Sequence, residues 1–253
     1  MIRFLKLAYL NFTFYLFFIL FSSAAVTSCG VGIVLSALVL SRRRVLRLLR
    51  RVICWYGTVI IRILPFPLVR IRYTNYASGE DQGPFIFVCN HRSSSDPFLM
   101  AGPCRPYECI QVVNVWPFRL PVLGLVAKIA GYLSVREMPF EDFLKTTSKL
   151  LAEGVSVIVF PEGTRSRDNS VGQFHSAIFR VALQTQRPIV PLCITGNERI
   201  PPVGSGILEP GIIKINRLKA VPWETYRTFT PFKLKNFVRG MIIQEVAAME
   251  KAL

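Results

Sequence analysis

The stretch GPFIFVCNHRSSSDPFLM, residues 83–100, breaks from an apolar run into His91, three serines and then Asp96-Pro97. Phe85 to Val88 are aromatic and β-branched behind a Gly-Pro start, the composition of a buried strand. Asp96 followed by Pro97 reads as an N-cap with proline at the first helical position, opening a helix through Phe98, Leu99 and Met100. A strand, a tight loop and a helix are therefore expected. The His91–Asp96 spacing fits one face of neither a helix nor a strand, so only a turn can bring the imidazole against the carboxylate. Two readings stay open for the pair. In one, the carboxylate fixes the ring tautomer and stabilises the imidazolium while the other ring nitrogen takes a proton from a hydroxyl. In the other, Asp96 only caps a helix and His91 is an ordinary loop histidine.

Outward from this stretch, strand-like and helix-like runs alternate from Leu68 onward. Strands are expected at Val69 to Tyr73, Glu108 to Val113, Tyr132 to Val135, Val155 to Phe160, Ile189 to Ile194 and near Ile212 to Ile215. Helices are expected at Pro121 to Ala130, Phe140 to Ala152, Phe174 to Gln184 and from Leu234. The alternation predicts an α/β fold with a mixed, largely parallel sheet flanked by helices. In such sheets ligands sit beyond the carboxyl ends of strands.

Upstream, residues 7–40 carry no charged side chain. About 20 residues cross the hydrocarbon core, so this run is long for one upright span and short for two. Ser22-Ser23 and Gly30-Val31-Gly32 admit either one long tilted helix or a shallow hairpin. Ser41 to Leu64 is a basic amphipathic segment, with Arg43, Arg47, Arg50 and Arg51 among apolar residues, suited to an anionic lipid interface. Positive charge on both flanks of the run favours a cytoplasmic side for both, while the stronger cluster after it also fits one span with that end inside. Val26-Thr27-Ser28-Cys29 has the look of a lipoprotein cleavage site, but the apolar run continues past it. Pro65-Phe66-Pro67 marks a boundary, dividing the chain into a membrane-associated helical region, 1–66, and a catalytic domain, 67–253.

Lys and Arg number 31 against 15 Asp and Glu, a net charge of +16. Combined with 51% hydrophobic residues and a mean hydropathy of +0.40, that charge points to phosphates at a membrane and away from nucleic acid. Six scattered cysteines without a C-x-x-C pair read as reduced thiols of a cytosol-facing protein. Cys104 and Cys109 with His91 or His175 miss zinc-ligand spacing, so no metal is expected. Ser93, Ser94 and Ser95 lie in no G-x-S-x-G elbow, which argues against a serine hydrolase. The turn Pro161-Glu162-Gly163-Thr164-Arg165, with Arg167 after it, is either a phosphate cradle or a plain turn with exposed arginines.

Asn90-His91-Arg92-Ser93-Ser94-Ser95-Asp96 resembles the N-H-x-x-x-x-D motif of the glycerophospholipid acyltransferase family. Gly131-Tyr132-Leu133-Ser134-Val135-Arg136 looks like the family's second motif. Phe160-Pro161-Glu162-Gly163-Thr164-Arg165-Ser166 matches the third and Ile189-Val190-Pro191-Leu192 looks like the fourth, so the resemblance covers about residues 70–215. It implies a membrane-bound O-acyltransferase of the inner (cytoplasmic) membrane that needs no cofactor. The acyl chain would pass from acyl-CoA or an acyl-carrier protein to lysophosphatidic acid or a related lysolipid, giving phosphatidic acid in the first case. His91 would be general base, oriented by Asp96, with the acceptor hydroxyl attacking the thioester directly. Gly131, Arg136, Glu162, Gly163, Thr164 and Arg165 would bind the acceptor and its phosphate, while Asn90, Pro161 and Pro191 would shape the pocket.

Two departures from the family pattern bear on the headgroup. Asn114-Val115-Trp116 stands where many relatives carry a basic residue, with Arg119 or Lys128 nearby to compensate. His175 and Ser176 stand where relatives often have lysine and glycine; His175 reads as a second base or as a structural residue at a helix start. Another lysolipid as acceptor, or a non-catalytic basic lipid-binding protein, are the competing functions.

Overall fold

The computed structural model describes residues 2–77, 82–134, 137–166, 168–202 and 204–251. Arg136 and Arg167 lie outside these. The chain opens with α1, Ile2–Val39. It continues through α2, Arg42–Thr58, and one wider helical turn, Val59–Ile63. Among the described residues six strands follow, β1 Val69–Asn75, β2 Ile86–Cys89, β3 Cys109–Val112, β4 Ser156–Val159, β5 Ile189–Thr195 and β6 Gly211–Arg217. Among them run α3 Asp96–Leu99, α4 Pro121–Ala130, α5 Phe140–Ala152 and α6 Ala177–Thr185, and after them α7 Trp223–Tyr226 and α8 Pro231–Lys251.

The sheet order is β1-β6-β5-β2-β4-β3. Only β5 and β6 pair antiparallel; the other neighbours are parallel. The expected mixed, largely parallel sheet flanked by helices is therefore present. Side chains of a strand alternate between faces, and the core divides accordingly. Ile86 and Val88 of β2 join Val157, Val159 and Ile110 under α5, α6 and α8. Phe85, Phe87 and Cys89 point the other way, joining Ile158, Leu192 and Ile194 and meeting Leu10 and Phe14 of α1. With both faces covered, β2 must be apolar at every position, which is why its sequence does not alternate.

The apolar run forms one unbroken helix. The hydroxyls of Thr13, Thr27 and Ser36 bond back to carbonyls four residues earlier, so these polar side chains are satisfied inside the helix. Its 38 residues at about 1.5 Å each extend about 57 Å. Phe4–Val39 is long and apolar enough to cross a membrane by length and composition.

Several expectations need correction. Tyr132 to Val135 do not form a strand over the described residues: Leu133 alone bridges Val112 at the sheet edge, with Val135 outside the described set. Asp96 is not the N-cap; Ser95 is, and the Asp96 carboxylate folds back onto the preceding loop. That helix also ends at Leu99, a single turn. The helix expected from Phe174 starts at Ala177; Phe174 and His175 lie before it, with the His175 N–H donating to the Pro161 carbonyl at 2.8 Å. Finally, part of the arginine face of α2 turns to the protein. Arg50 is buried and pairs with Glu108 at 2.6 Å, joined there by Arg47 at 3.0 Å, while Arg43 reaches the Glu153 carbonyl at 2.9 Å. A buried guanidinium requires such partners, so Arg42, Arg44 and Arg51 are the arginines of this helix left exposed without a role in docking it.

Candidate active site

Strands β5, β2 and β4 are parallel neighbours, so their carboxyl ends open on the same side, and each delivers part of the site. Asn90 follows β2 and extends the pairing by its side chain. Its Nδ2 donates to the Ile194 carbonyl at 2.9 Å and its Oδ1 accepts from the Ile194 N–H at 2.8 Å. The next residue, His91, is thereby aimed off the end of the sheet.

His91 Nδ1 lies 2.7 Å from Asp96 Oδ2. The same oxygen accepts the N–H groups of Arg92 at 2.7 Å and Ser93 at 3.0 Å, and Asn197 Nδ2 donates to the other carboxylate oxygen. An oxygen already accepting two backbone donors presents an acceptor to the ring, so in this contact Nδ1 is the donor and Nε2 is the ring nitrogen that Asp96 does not engage. Asp96 is fully buried. Its four donors compensate the loss of water.

Glu162 arrives from the end of β4. Its carboxylate bridges the His91 N–H at 2.8 Å and the Gly172 N–H at 2.9 Å, holding the histidine backbone against the 161–172 loop. Burial holds the Glu162 carboxyl above the ordinary carboxylate range, against the lowering pull of those two N–H groups. A Cβ at Gly172 would lie 2.7 Å from Glu162 Oε2, so a side chain there requires the carboxylate to shift. A further loop bond, Ser166 N–H to the His91 carbonyl at 2.8 Å, completes the clamp, and the His91 ring packs on Phe160 with centroids 4.8 Å apart.

His91 and Phe160 border a cavity of ≈ 1320 Å³, whose lining also includes Pro161, Gly163, Thr164, Arg165 and His175, whereas the Glu162 carboxylate is taken up by the two backbone N–H groups and does not line it. Apolar residues such as Val112, Phe143, Val159 and Ile178 line it as well. The volume exceeds that of common small-molecule pockets, about 300–1,000 Å³. The arrangement brings an imidazole, an arginine and an apolar wall into one space.

Not every expected residue reaches it. Gly131 closes α4 at positive φ, beside Arg50, whose Nε donates to the Ala130 carbonyl at 2.8 Å. Pro191 sits inside β5 opposite Val88. Asn90 acts between strands, and Arg136 falls outside the described residues. Of the serines, Ser94 lines the cavity, while Ser93 Oγ donates within 3.2 Å of the Ile200 and Pro201 carbonyls and accepts from Ser95. Cys89 and Cys193 are buried thiols, pushed up in pKa by desolvation and so kept unreactive.

Sequence reasoning missed Asn197, Gly172 and the role of Arg92. Arg92 is buried and reaches the Asn169 carbonyl at 2.6 Å, Glu250 of α8 at 2.6 Å and Glu198 at 3.4 Å. Its place inside the motif was the only signal available.

Comparison with known proteins bears on the fold and the family. Residues 70–195 match the family model described as Acyltransferase. A chloroplastic 1-acyl-sn-glycerol-3-phosphate acyltransferase, BAT2 of Brassica napus, is 33% identical over 159 residues, 61% of this chain and 45% of that protein. The chain thus spans less than half the length of this plant relative. The 1-acyl-sn-glycerol-3-phosphate acyltransferase of Salmonella typhimurium is 22% identical over 200 residues, 78% of this chain and 80% of that one. The crystal structure of the 1-acyl-sn-glycerophosphate acyltransferase PlsC from Thermotoga maritima superposes with a TM-score of 0.76 at 20% identity, covering 98% of both chains. With its domain at residues 70–195, this chain belongs to the acyltransferase family.

Proposed function

We propose that this chain is a membrane-bound O-acyltransferase that moves an acyl chain from the thioester of coenzyme A or an acyl-carrier protein to the free hydroxyl of 1-acylglycerol 3-phosphate, giving phosphatidic acid. The observation that carries this reading is the 2.7 Å contact of His91 Nδ1 with a buried, four-donor Asp96 at the edge of a lipid-sized cavity that also holds Arg165. The relatives above are named for this reaction.

In this mechanism Nε2 of His91 takes the proton of the acceptor hydroxyl as its oxygen attacks the thioester carbonyl. The tetrahedral intermediate collapses with cleavage of the C–S bond, and the thiolate recovers the proton from the imidazolium. Asp96 balances the positive charge on the ring throughout, and the substrate oxygen stands where a nucleophilic serine would, so no acyl-enzyme forms. One general base contributes about 100- to 10,000-fold, and positioning of the acceptor supplies a large part of the remainder. Arg165 anchors the acceptor phosphate, with Glu162, Gly163 and Thr164 forming the turn that presents it. The apolar helix α1 anchors region 1–66 in the cytoplasmic membrane, the exposed arginines of α2 meet anionic headgroups, and residues 67–253 face the cytosol as the catalytic domain.

Acyl transfer from a labelled thioester to a panel of lysolipids, by detergent-purified wild type beside His91→Ala and Arg165→Ala, tests this. The expected result is product with lysophosphatidic acid, lost in His91→Ala and shifted to a KM at least about tenfold higher in Arg165→Ala. Full activity of His91→Ala refutes the mechanism, transfer only to a different lysolipid replaces the acceptor, and lipid binding without any transfer selects the non-catalytic reading.

A further inference from the structure

The connection between β5 and β6, described over residues 196–202 and 204–210, touches three parts of the molecule in succession. At its start, Asn197 donates to Asp96, and the carbonyls of Ile200 and Pro201 accept from Ser93. In its middle, Gly204 and Ser205 line the cavity. At its far end it meets α1. Asn11 Oδ1 accepts the Leu208 N–H at 2.8 Å, Asn11 Nδ2 donates to the Leu208 carbonyl at 2.9 Å, and the Tyr15 hydroxyl donates to the Gly206 carbonyl.

Asn11 lies within the uncharged run 7–40, where an amide is costly unless both of its polar ends are engaged. Here Leu208 engages both, reproducing a backbone pairing with a side chain. Leu208 itself is buried beside Leu10 and Phe14 of α1, so apolar packing and polar pairing seat the same residue. The cavity wall at 204–205 is thus suspended between two anchors: the His91–Asp96 loop on one side and the apolar helix on the other.

We propose that Asn11 and Tyr15 are positioning residues of the active site, seating the β5–β6 loop on α1 so that Gly204 and Ser205 hold the cavity wall in its working place. The consequence for acyl transfer rests on the function proposed above. The consequence for the loop does not. Of the three hydrogen bonds, the two at Asn11 are partly buried and by themselves are expected to restrain local opening by about 10- to 100-fold.

The test uses the full chain in phospholipid vesicles and compares wild type, Asn11→Leu with Tyr15→Phe, and Ser22→Ala. The last removes only the Ser22–Tyr56 contact of 2.8 Å between α1 and α2. Amide hydrogen exchange over 204–210 should accelerate about tenfold or more in the double variant and not in Ser22→Ala. The KM for the acceptor should rise about tenfold with kcat within about threefold, since the His91–Asp96 pair keeps its own anchors. Unchanged exchange in the double variant overturns the proposal, and so does an equal effect of Ser22→Ala, which would mean general loosening of α1. If wild type transfers no acyl group to any acceptor, the proposed function fails, while the exchange result still decides the loop's dependence on α1.

Discussion

Replacing Asp96 by asparagine changes one charge while leaving the side-chain shape, and the surrounding bonds dictate how the new amide sits. Three donors converge on Oδ2, from His91, Arg92 and Ser93, so the amide oxygen takes that position and the NH2 falls opposite Asn197. Asn197 Oδ1 is buried without a hydrogen-bond partner; turning that side-chain amide over presents this oxygen to the new NH2. The variant is therefore expected to fold, at a cost of about 1–2 kcal/mol as charge-assisted bonds become neutral ones. The Nδ1 proton and the tautomer are retained, so the kinetic loss reports the missing charge. Unit charges about 4 Å apart at an effective dielectric of about 20 attract by about 4 kcal/mol, which at about 1.4 kcal/mol per decade predicts a fall in kcat of about 1,000-fold. Single-turnover acyl transfer with lysophosphatidic acid, beside thermal unfolding of the same preparations, measures both. A folded Asp96→Asn protein that keeps more than about a tenth of wild-type kcat refutes the claim that Asp96 balances an imidazolium in the transition state.

Glu162→Gln keeps one acceptor oxygen for two backbone donors, so either His91 N–H or Gly172 N–H loses its partner, destabilising the protein at neutral pH by about 1–3 kcal/mol. The pH dependence carries a separate sign: with its carboxyl raised by burial, the folded state binds more protons than the unfolded one from the ordinary value of 4.5 upward, through the window between that value and the raised one. Wild-type stability relative to the glutamine variant should therefore fall as pH rises through that window, measured as the difference in unfolding free energy. Gly172→Ala drives a methyl against Glu162 Oε2, 2.7 Å away; a loss of about 1–3 kcal/mol with lowered activity is expected in denaturant titrations and acyl-transfer assays, and a variant as stable as wild type would mean the carboxylate is free to move.

The strand, loop and helix around His91 were legible because their signals are local: an unbroken apolar run, then proline at a helix start. The same holds for α4 and α5, whose predicted limits, Pro121 to Ala130 and Phe140 to Ala152, coincide with the observed ones. The conjunction of His91 with Asp96 followed from a turn between neighbouring elements. By contrast, the strand order and the reversed direction of β6 depend on which edges meet, and a one-dimensional pattern is the same for either direction. Tyr132 to Val135 have strand composition, yet one bridge at the sheet edge is all that forms over the described residues. The Asn197–Asp96 bond spans 101 positions and the Asn11–Leu208 pair 197, so nothing in the neighbouring sequence announces either. Arg50 is indistinguishable by type from the exposed arginines around it; the nearness of Glu108 in the folded chain turns it inward. Sequence alone thus determined most of the elements and the meeting of His91 with Asp96, because propensity and hydrophobic pattern act over a few residues. Which buried polar groups find one another was decided only by tertiary structure, because a partner's identity depends on the packing that removes water from both.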